Sequence, residues 1–420
     1  MKKILNINKI QKFKSNNGLK IYIIQRSNSP ISIFISFLAG SIFDPKGKEG
    51  LNHFTEHLML YKSKNHPNIK ENNYLFNKLS AKPYAETNIE TMTFSLKSPK
   101  KTFDKAFNLF TDLIINAEID KEIFEKEREV MWNEQEKALG NPWNLIYRNL
   151  ASKLYFNKDR SVLGTKESLK NIKLKDVIKW HKDITNKKLI DKILILGDIT
   201  KEEIIKVINK SSIKELKPIG KINIEEKEER EVKEVFFKSK QNAGFSAILI
   251  GFKITNCDTN TKDYVSLEVL ADILEKRLYY NKEIKNIIKI DCTVMKHSTF
   301  IDFSVALLLK DDKYIENNLN SVLKSLEEIK VKGIKEEELK EEKNKTIENL
   351  PYEFEKIHNL GTFFYEDLIF KPKCTPLQYY KTLNKLTTKD IRKTINKLLY
   401  KKNRKIGILD EKNTMKVQAN

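Results

Sequence analysis

The sequence predicts an α+β protein made of two tandem, related α/β domains, each with a mixed, mostly antiparallel sheet packed with helices. Strand-length apolar segments alternate with segments whose apolar residues recur at helical spacing. The segment 168–184 also recurs in outline as 382–398, an offset of 214 residues. The same offset carries the strand pattern at 31–37 onto FSAILIG at 245–251. Two agreements at one offset indicate a tandem duplication.

A charge-dense segment, EEKEEREVKE, lies between the two copies. It follows Pro218 and Gly220, and this composition is typical of a linker. We therefore expect a first domain at 1–216, a charged linker at 217–234 and a second domain at 235–420.

The first domain begins with a turn signal, Asn16-Asn17-Gly18, followed by strand patterns. Later segments alternate between helical and strand periodicity. The expected strands are 19–24, 31–38, 91–96 and 193–196, and the expected helices are 51–62, 70–80, 102–116, 120–138 and 174–184.

Composition excludes several classes of protein. The chain has 420 residues, 40% of them hydrophobic, which argues against disorder and allows sizeable cores. The longest apolar stretches are too short for a membrane helix, and the basic start has no apolar segment typical of a secretory signal. Three widely spaced cysteines fit a reducing compartment. We expect a cytoplasmic protein with no membrane partner.

The formal net charge of +21 raises the hypothesis of a nucleic-acid binder, whose affinity would depend steeply on salt. The lysines are spread over the whole chain, however, and form no basic block interleaved with aromatic residues. We therefore expect no nucleic-acid partner. That hypothesis would also leave the motif described next unexplained.

The segment predicted to be helical at 51–62 contains H-x-x-E-H, formed by His53, Glu56 and His57. Positions i and i+4 share a helix face, so both imidazoles can point at one metal ion. Zinc suits two neutral histidines and one carboxylate, which leaves a position for water whose pKa falls toward about 7. Glu56 is then expected to activate the zinc-bound water as a general base. The order is the inverse of H-E-x-x-H.

A third metal ligand must come from elsewhere in the chain. The helix predicted at 120–138 offers Glu127 and Glu134, which are seven residues apart and nearly on one stripe. Either could face the metal. Solvated glutamates are the default in such a charged helix, so spacing alone does not select between them.

Four segments resemble blocks of the pitrilysin and insulinase peptidases, a family that includes the mitochondrial processing peptidases. They are AGSIFDPKGKEGLNHFTEHLML, EREVMWNEQ, DRSVLGTKESLKNIKLKDVIKWHKD and LILGDI. The resemblance covers most of the first half of the chain. It implies a zinc endopeptidase that cleaves peptides and unfolded segments.

The resemblance also implies roles for individual residues. His53, His57 and Glu134 would bind one Zn²⁺, Glu56 would be the general base, and Glu127 would support catalysis from behind the metal ligands. The first domain would thus be the catalytic zinc domain.

The second domain would be non-catalytic and would bind substrate. At the constant offset, the three motif positions fall on Leu267, Leu270 and Ala271, which cannot bind a metal ion. Members of the family typically enclose substrate in a chamber of two halves, each with two related domains. The duplication matches one half, so the resemblance implies a homodimer or a heterodimer with a related subunit.

Substrate-binding residues are also implied by the resemblance. EKRLYY resembles the segment whose arginine helps to hold substrate, here Arg277. The strand that pairs with substrate would contain Tyr84 and Ala85, where the family commonly has Asn-Ala-x-Thr. Beyond Arg277, Ile290 occupies the position of the family's tyrosine.

Two functional hypotheses follow. In the first, the chain is a self-sufficient zinc endopeptidase that hydrolyses peptides or unfolded segments inside a chamber. In the second, it binds zinc and peptides but turns them over poorly without a related partner subunit. The departures at Tyr84 and Ile290 motivate the second hypothesis.

Overall fold

The computed structural model describes residues 9–141, 144, 146, 161–190, 192–219, 238–239, 245–255, 261–297, 300–370 and 374–409. The strands in these residues are β1 Lys9–Lys14, β2 Lys20–Gln25, β3 Ile31–Phe37, β4 Lys82–Thr87, β5 Met92–Ser98, β6 Lys192–Gly197, β7 Lys238–Ser239, β8 Ser246–Thr255, β9 Ile287–Lys296, β10 Phe300–Leu309 and β11 Arg404–Leu409.

The helices in the first half are α1 Leu51–Leu58, α2 Ile69–Lys78, α3 Phe103–Ile115, α4 Lys121–Leu139, α5 Lys166–Asn171, α6 Leu174–Lys187 and α7 Lys201–Lys210. Those in the second half are α8 Thr261–Tyr279, α9 Ile315–Lys332, α10 Glu336–Glu353, α11 Ile357–Ile369, α12 Pro376–Lys385 and α13 Thr388–Leu398. No helix among the described residues is both long enough and apolar enough to cross a membrane.

Contacts divide the chain into two compact units. The first comprises the described parts of Met1–Glu136, Arg160–Asn223 and Leu350–Ile369. Its sheet has the strand order β1-β2-β6-β3-β5-β4, in which β2 and β6 are parallel and the other pairs are antiparallel. Alternate residues of β3 face a core shared with α3 and α7, because side chains alternate across a strand.

Helix α11 packs against β3 and β6 of the first unit, although it comes from the second half of the sequence. A Cβ atom at Gly361 would lie 2.3 Å from the Phe34 ring, so only glycine allows this approach. His358 stacks on the same ring with a centroid distance of 5.1 Å. Residues 350–369 fall within the second domain expected from the sequence, 235–420, whereas their contacts place them in the first unit.

The second unit contains a sheet with the order β7-β11-β8-β10-β9. Strand β11 pairs in parallel with β7 and antiparallel with β8, just as β6 pairs with β2 and β3 in the first unit. Helix α8 buries Leu267, Leu270 and Ala271. In the second unit, buried apolar residues therefore occupy the positions that correspond to the H-x-x-E-H motif of α1.

The predicted fold class is confirmed: two related units each combine helices with a mixed, mostly antiparallel sheet. The strands and helices expected in the first half lie close to their expected positions, but α1 ends at Leu58 rather than at residue 62. Strand β1 and helices α5 and α7 were not expected. Residues 220–234 of the expected linker lie outside the described residues, and the proposed boundaries at 216 and 235 stay a prediction.

Candidate metal centre

The start of α1 is held by Asp44, which the sequence analysis did not identify. Its carboxylate accepts hydrogen bonds from the backbone N–H groups of Gly50 and Asn52, at 2.8 and 2.9 Å. The Asn52 side chain in turn accepts from the Trp180 indole at 2.8 Å. Gly50 has φ +94°, a left-handed conformation that favours glycine. These contacts satisfy free N–H groups at the helix N-terminus and fix its direction.

Helix α1 brings the two histidines of the motif together, as the i, i+4 spacing predicts. The Nε2 atoms of His53 and His57 lie 3.2 Å apart. Glu134 Oε2, on α4, lies 3.4 Å from His57 Nε2 and 3.8 Å from His53 Nε2. Three potential metal-ligand atoms thus converge from two helices that are distant in sequence.

This donor set fits a zinc ion. Tetrahedral zinc with bonds of about 2.0–2.1 Å separates its ligand atoms by about 3.3–3.4 Å. The three observed separations, from 3.2 to 3.8 Å, are close to this value. Glu56 also lies close, since donor atoms of His53, Glu56 and His57 all lie within 4.8 Å of one another.

Glu127 contacts the other nitrogen of His57. Its Oε2 lies 3.1 Å from His57 Nδ1, and its Oε1 accepts a hydrogen bond of 2.6 Å from the Tyr61 hydroxyl. Burial disfavours the charged form of Glu127, but the hydrogen bonds from His57 and Tyr61 hold the pKa of its carboxyl below the usual value. An Nδ1–H donated to Glu127 leaves the Nε2 lone pair of His57 available to a metal ion.

Without metal, the carboxylates keep His57 protonated. Burial alone would lower the pKa of His57, but hydrogen bonds to Glu127 and Glu134 raise it to about 10. A metal ion must therefore displace a proton from His57 at neutral pH.

Glu56 lies beside the converging atoms and is nearly buried. Its Oε2 is 3.9 Å from His53 Nε2 and accepts a 3.2 Å hydrogen bond from the Thr87 hydroxyl at the end of β4. Burial raises the pKa of the Glu56 carboxyl to about 7. A carboxyl with that pKa can both accept and return a proton at neutral pH.

Arg128 fixes helix α4 behind the site. It is buried and donates to the carbonyl oxygens of Leu169 and Ile172, while its guanidinium lies 4.6 Å from the centroid of the Phe124 ring. Phe124 stacks on Phe54 of α1. This packing sets the position of α4 against α1.

The structure places the expected substrate-binding residues in different units. Tyr84 and Ala85 lie on β4, the last strand of the first sheet, with Tyr84 exposed and Ala85 packed against the core. Arg277 lies in the second unit. Its guanidinium makes a two-point ion pair with Glu338, with distances of 2.8 and 2.7 Å.

Sequence reasoning missed Tyr61, Thr87 and Arg128 as supports of the site. Arg128 lies within the quoted segment EREVMWNEQ, and Thr87 matches the threonine of the family's Asn-Ala-x-Thr pattern, but Tyr61 carries no motif. Only its contact with Glu127 identifies it.

Comparisons with known proteins give matches over most of the chain. The family model described as Insulinase (Peptidase family M16) matches residues 21–166, and the model described as Peptidase M16 inactive domain matches residues 171–346. The chain is 22% identical over 267 residues to the zinc protease PqqE of Helicobacter pylori, covering 61% of this chain and 59% of that protein. It is 25% identical over 179 residues to the mitochondrial-processing peptidase subunit beta of Rattus norvegicus, covering 42% of this chain and 36% of that protein.

Solved structures show the same fold over nearly the whole chain. A protease from Helicobacter pylori matches with a TM-score of 0.82 at 19% identity, covering 96% of this chain and 99% of that one. Pitrilysin matches with a TM-score of 0.71 at 15% identity, covering 99% of this chain but 46% of that one. This chain therefore spans about half of pitrilysin.

Proposed function

The chain belongs to the insulinase family, peptidase family M16, and from this premise we propose that it is a zinc-dependent endopeptidase acting on peptides or unfolded segments. The observation that carries the proposal is the convergence of His53 Nε2, His57 Nε2 and Glu134 Oε2 within 3.2 to 3.8 Å. A nearly buried, unliganded base, Glu56, lies beside them.

A zinc ion held by these three side chains supplies a Lewis acid that polarises a peptide carbonyl and acidifies water. Glu56 accepts the proton of the attacking water at Oε2 and returns it to the departing amide nitrogen. Thr87 orients that oxygen through its hydroxyl. Glu134 is the better third ligand because its carboxylate approaches both imidazoles, whereas Glu56 is held by Thr87.

Strand β4 supports an extended binding mode for the substrate. It pairs with β5 along one edge and is the last strand of its sheet, so its other edge offers backbone groups to an incoming peptide. Thr87 connects the end of this strand to Glu56. A peptide added along β4 would therefore run past the base.

The test is cleavage of a mixture of unstructured peptides by the purified chain, with zinc content measured in parallel. Glu56→Gln should retain zinc and lose cleavage by about 10²- to 10⁴-fold, because it removes the proton acceptor. Glu202→Gln is the matched control, since Glu202 is exposed on α7. Chelator should stop cleavage by the unsubstituted chain. Unchanged cleavage by Glu56→Gln would contradict the mechanism.

A second candidate function is that of a zinc-binding subunit that needs a related partner to complete a chamber. The supporting observation is that Arg277 is engaged by Glu338, while Ile290 is buried on β9 where a tyrosine was expected. We therefore infer a homodimer or a heterodimer as the active form. Sedimentation tests self-association, and slow cleavage that recovers on adding a related subunit supports the heterodimer. Rapid cleavage by the monomeric chain would exclude this candidate.

A further inference from the structure

We propose that Tyr61 is a positioning residue that holds Glu127 in the orientation needed to direct the Nε2 lone pair of His57 toward the metal. The chain of contacts is continuous. The Tyr61 hydroxyl donates to Glu127 Oε1 at 2.6 Å, and Glu127 Oε2 lies 3.1 Å from His57 Nδ1. His57 Nε2 lies among the metal-binding atoms.

Tyr61 is itself held in place by its backbone. It follows α1, and its carbonyl oxygen accepts a 2.9 Å hydrogen bond from the Asn72 side chain on α2. The next residue, Lys62, accepts from the N–H of Glu118 at 2.9 Å and pairs with Asp120, just before α4. The hydroxyl therefore approaches Glu127 from a fixed direction.

Glu127 needs this donor because it is only 2% exposed. Without the hydroxyl, its Oε1 would be left without a hydrogen bond in a buried position, which is costly for a charged group. The carboxylate would then rotate, and it would accept less well from His57 Nδ1–H. The imidazole ring of His57 would no longer be held with its Nε2 toward His53 and Glu134.

The test is zinc affinity, measured by competition with a chelator. Loss of an outer hydrogen bond to a metal ligand typically weakens metal binding by 10- to 100-fold. Because Tyr61 contacts the metal ligand His57 only through Glu127, we expect Tyr61→Phe to weaken zinc binding by about tenfold. Tyr74→Phe is the matched control, since Tyr74 is exposed on α2. Affinity of Tyr61→Phe within about twofold of the unsubstituted chain overturns the proposal.

A double-substitution cycle separates positioning from general destabilisation. If Tyr61 acts through Glu127, Tyr61→Phe should have no further effect on zinc affinity in a Glu127→Gln background. Losses that add would overturn the proposal, as would a loss of affinity fully explained by a lower melting temperature of the metal-free chain. A chain that binds no zinc at all would overturn the proposed metal site together with this role. A chain that binds zinc but cleaves nothing would overturn only the peptidase.

A second inference starts from a different observation, the exposed side chains of β4. This inference rests on the proposed function. We infer that Glu86 and Tyr84 select substrates with a lysine or arginine on the facing position of the bound strand. The two residues are both exposed and, two apart on a strand, point to the same face. Among the described residues, Glu86 makes no hydrogen bond or ion pair, so its carboxylate is available to a ligand.

The surroundings of Glu86 favour a long cationic side chain. The Tyr84 ring lies 5.6 Å from the ring of His358, which stacks on buried Phe34 and so supports the aromatic surface. An arginine or lysine stem can lie along Tyr84 while its charged end meets Glu86. Side chains of paired strands contact each other on a shared face. Glu86 is next in the chain to Thr87, whose hydroxyl donates to Glu56, so Glu86 lies near the base.

The test compares peptides that differ by one residue, lysine against the neutral norleucine. Glu86→Gln should lower kcat/KM for the lysine peptide by about three- to fivefold, the size of an exposed ion pair, and leave the norleucine peptide unchanged. Glu86→Lys should shift the preference toward a peptide with glutamate at the same position. Glu202→Gln should leave kcat/KM unchanged for every peptide. Equal effects on both peptides would overturn the inference.

Binding of the same peptides to Glu56→Gln provides a measurement that does not require turnover. In one outcome, the unsubstituted chain cleaves neither peptide while Glu56→Gln binds the lysine peptide more tightly than the norleucine peptide. That result would support the selectivity of Glu86 and contradict the proposed peptidase activity. Equal binding of both peptides overturns the selectivity while cleavage can still support the peptidase.

Discussion

Glu56 lowers the stability of the metal-free chain at neutral pH, and this cost can be measured. Burial raises the pKa of its carboxyl from 4.5 to about 7. Between these pH values the folded chain retains a proton that the unfolded chain has released. The stabilisation from protonated Glu56 is therefore full below pH 4.5 and is lost as the pH rises through about 7.

The magnitude follows from the two pKa values. The whole shift is equivalent to about 3 kcal/mol, of which about 2.5 kcal/mol remains at about pH 5 and about 0.1 kcal/mol at about pH 8. Glutamine has a similar shape and stays neutral at both. The free energy of unfolding of Glu56→Gln, relative to the unsubstituted chain, should therefore rise by about 2.5 kcal/mol between about pH 5 and about pH 8.

The assay is urea unfolding of both proteins in chelator at the two pH values. Tryptophan fluorescence suits it because Trp132 and Trp180 pack against the cluster that contains α1. Titrating groups that do not interact with Glu56 cancel in the comparison. His57 does interact with it, but its pKa of about 10, which burial lowers and hydrogen bonds to Glu127 and Glu134 raise, keeps it protonated at both pH values. Glu202→Gln should show a pH-independent difference. A pH-independent difference for Glu56→Gln would refute the reasoning. Such a result would mean that water reaches Glu56 and keeps the pKa of its carboxyl near 4.5.

Three further predictions concern the metal, the loop beside α1 and the second unit. Zinc affinity should fall about tenfold for each pH unit between about pH 8 and about pH 6, because binding displaces one proton from His57, whose pKa is about 10. Calorimetry in two buffers of different ionisation enthalpy measures the number of protons released. A pH-independent affinity would contradict the prediction. Gly164→Ala should cost more than about 3 kcal/mol, since its φ is +66° and a Cβ would lie 2.1 Å from Glu49 O. Gly47→Ala, with φ +78° and no atom within 4 Å of a Cβ, should cost about 1 kcal/mol, and equal costs in urea unfolding would be inconsistent with this contact. A double-mutant cycle on Arg277 and Glu338 should give a coupling free energy of about 1 kcal/mol in thermal unfolding, because the ion pair has two contacts but is partly exposed. A coupling free energy of zero would show that the pair contributes nothing to stability.

The sequence alone determined the parts of the site that depend on local geometry. His53 and His57 converge because residues four apart on any α-helix share a face. The duplication was visible for a similar reason, since strand and helix periodicities survive divergence and reproduce the same strand order in both units. These features require no knowledge of distant contacts.

The different roles expected for Glu127 and Glu134 were implied by the family resemblance, but only the tertiary structure shows the physical reason for them. Seven residues separate them by about 10 Å along α4, so both lie on one stripe and sequence spacing cannot rank them. The packing of α4 against α1, through Phe124 and Arg128, places Glu134 by the Nε2 atoms and Glu127 by Nδ1.

The contributions of Tyr61 and of residues 350–369 were likewise decided by tertiary packing. Tyr61 reaches Glu127 across 66 positions of sequence, and α11 joins the first unit although it follows α10 of the second half. Helical and strand periodicity report which face of an element is apolar, but not which distant segment covers it. The local motif therefore identified the helix on which the potential metal ligands converge, and long-range packing determined how its side chains are oriented.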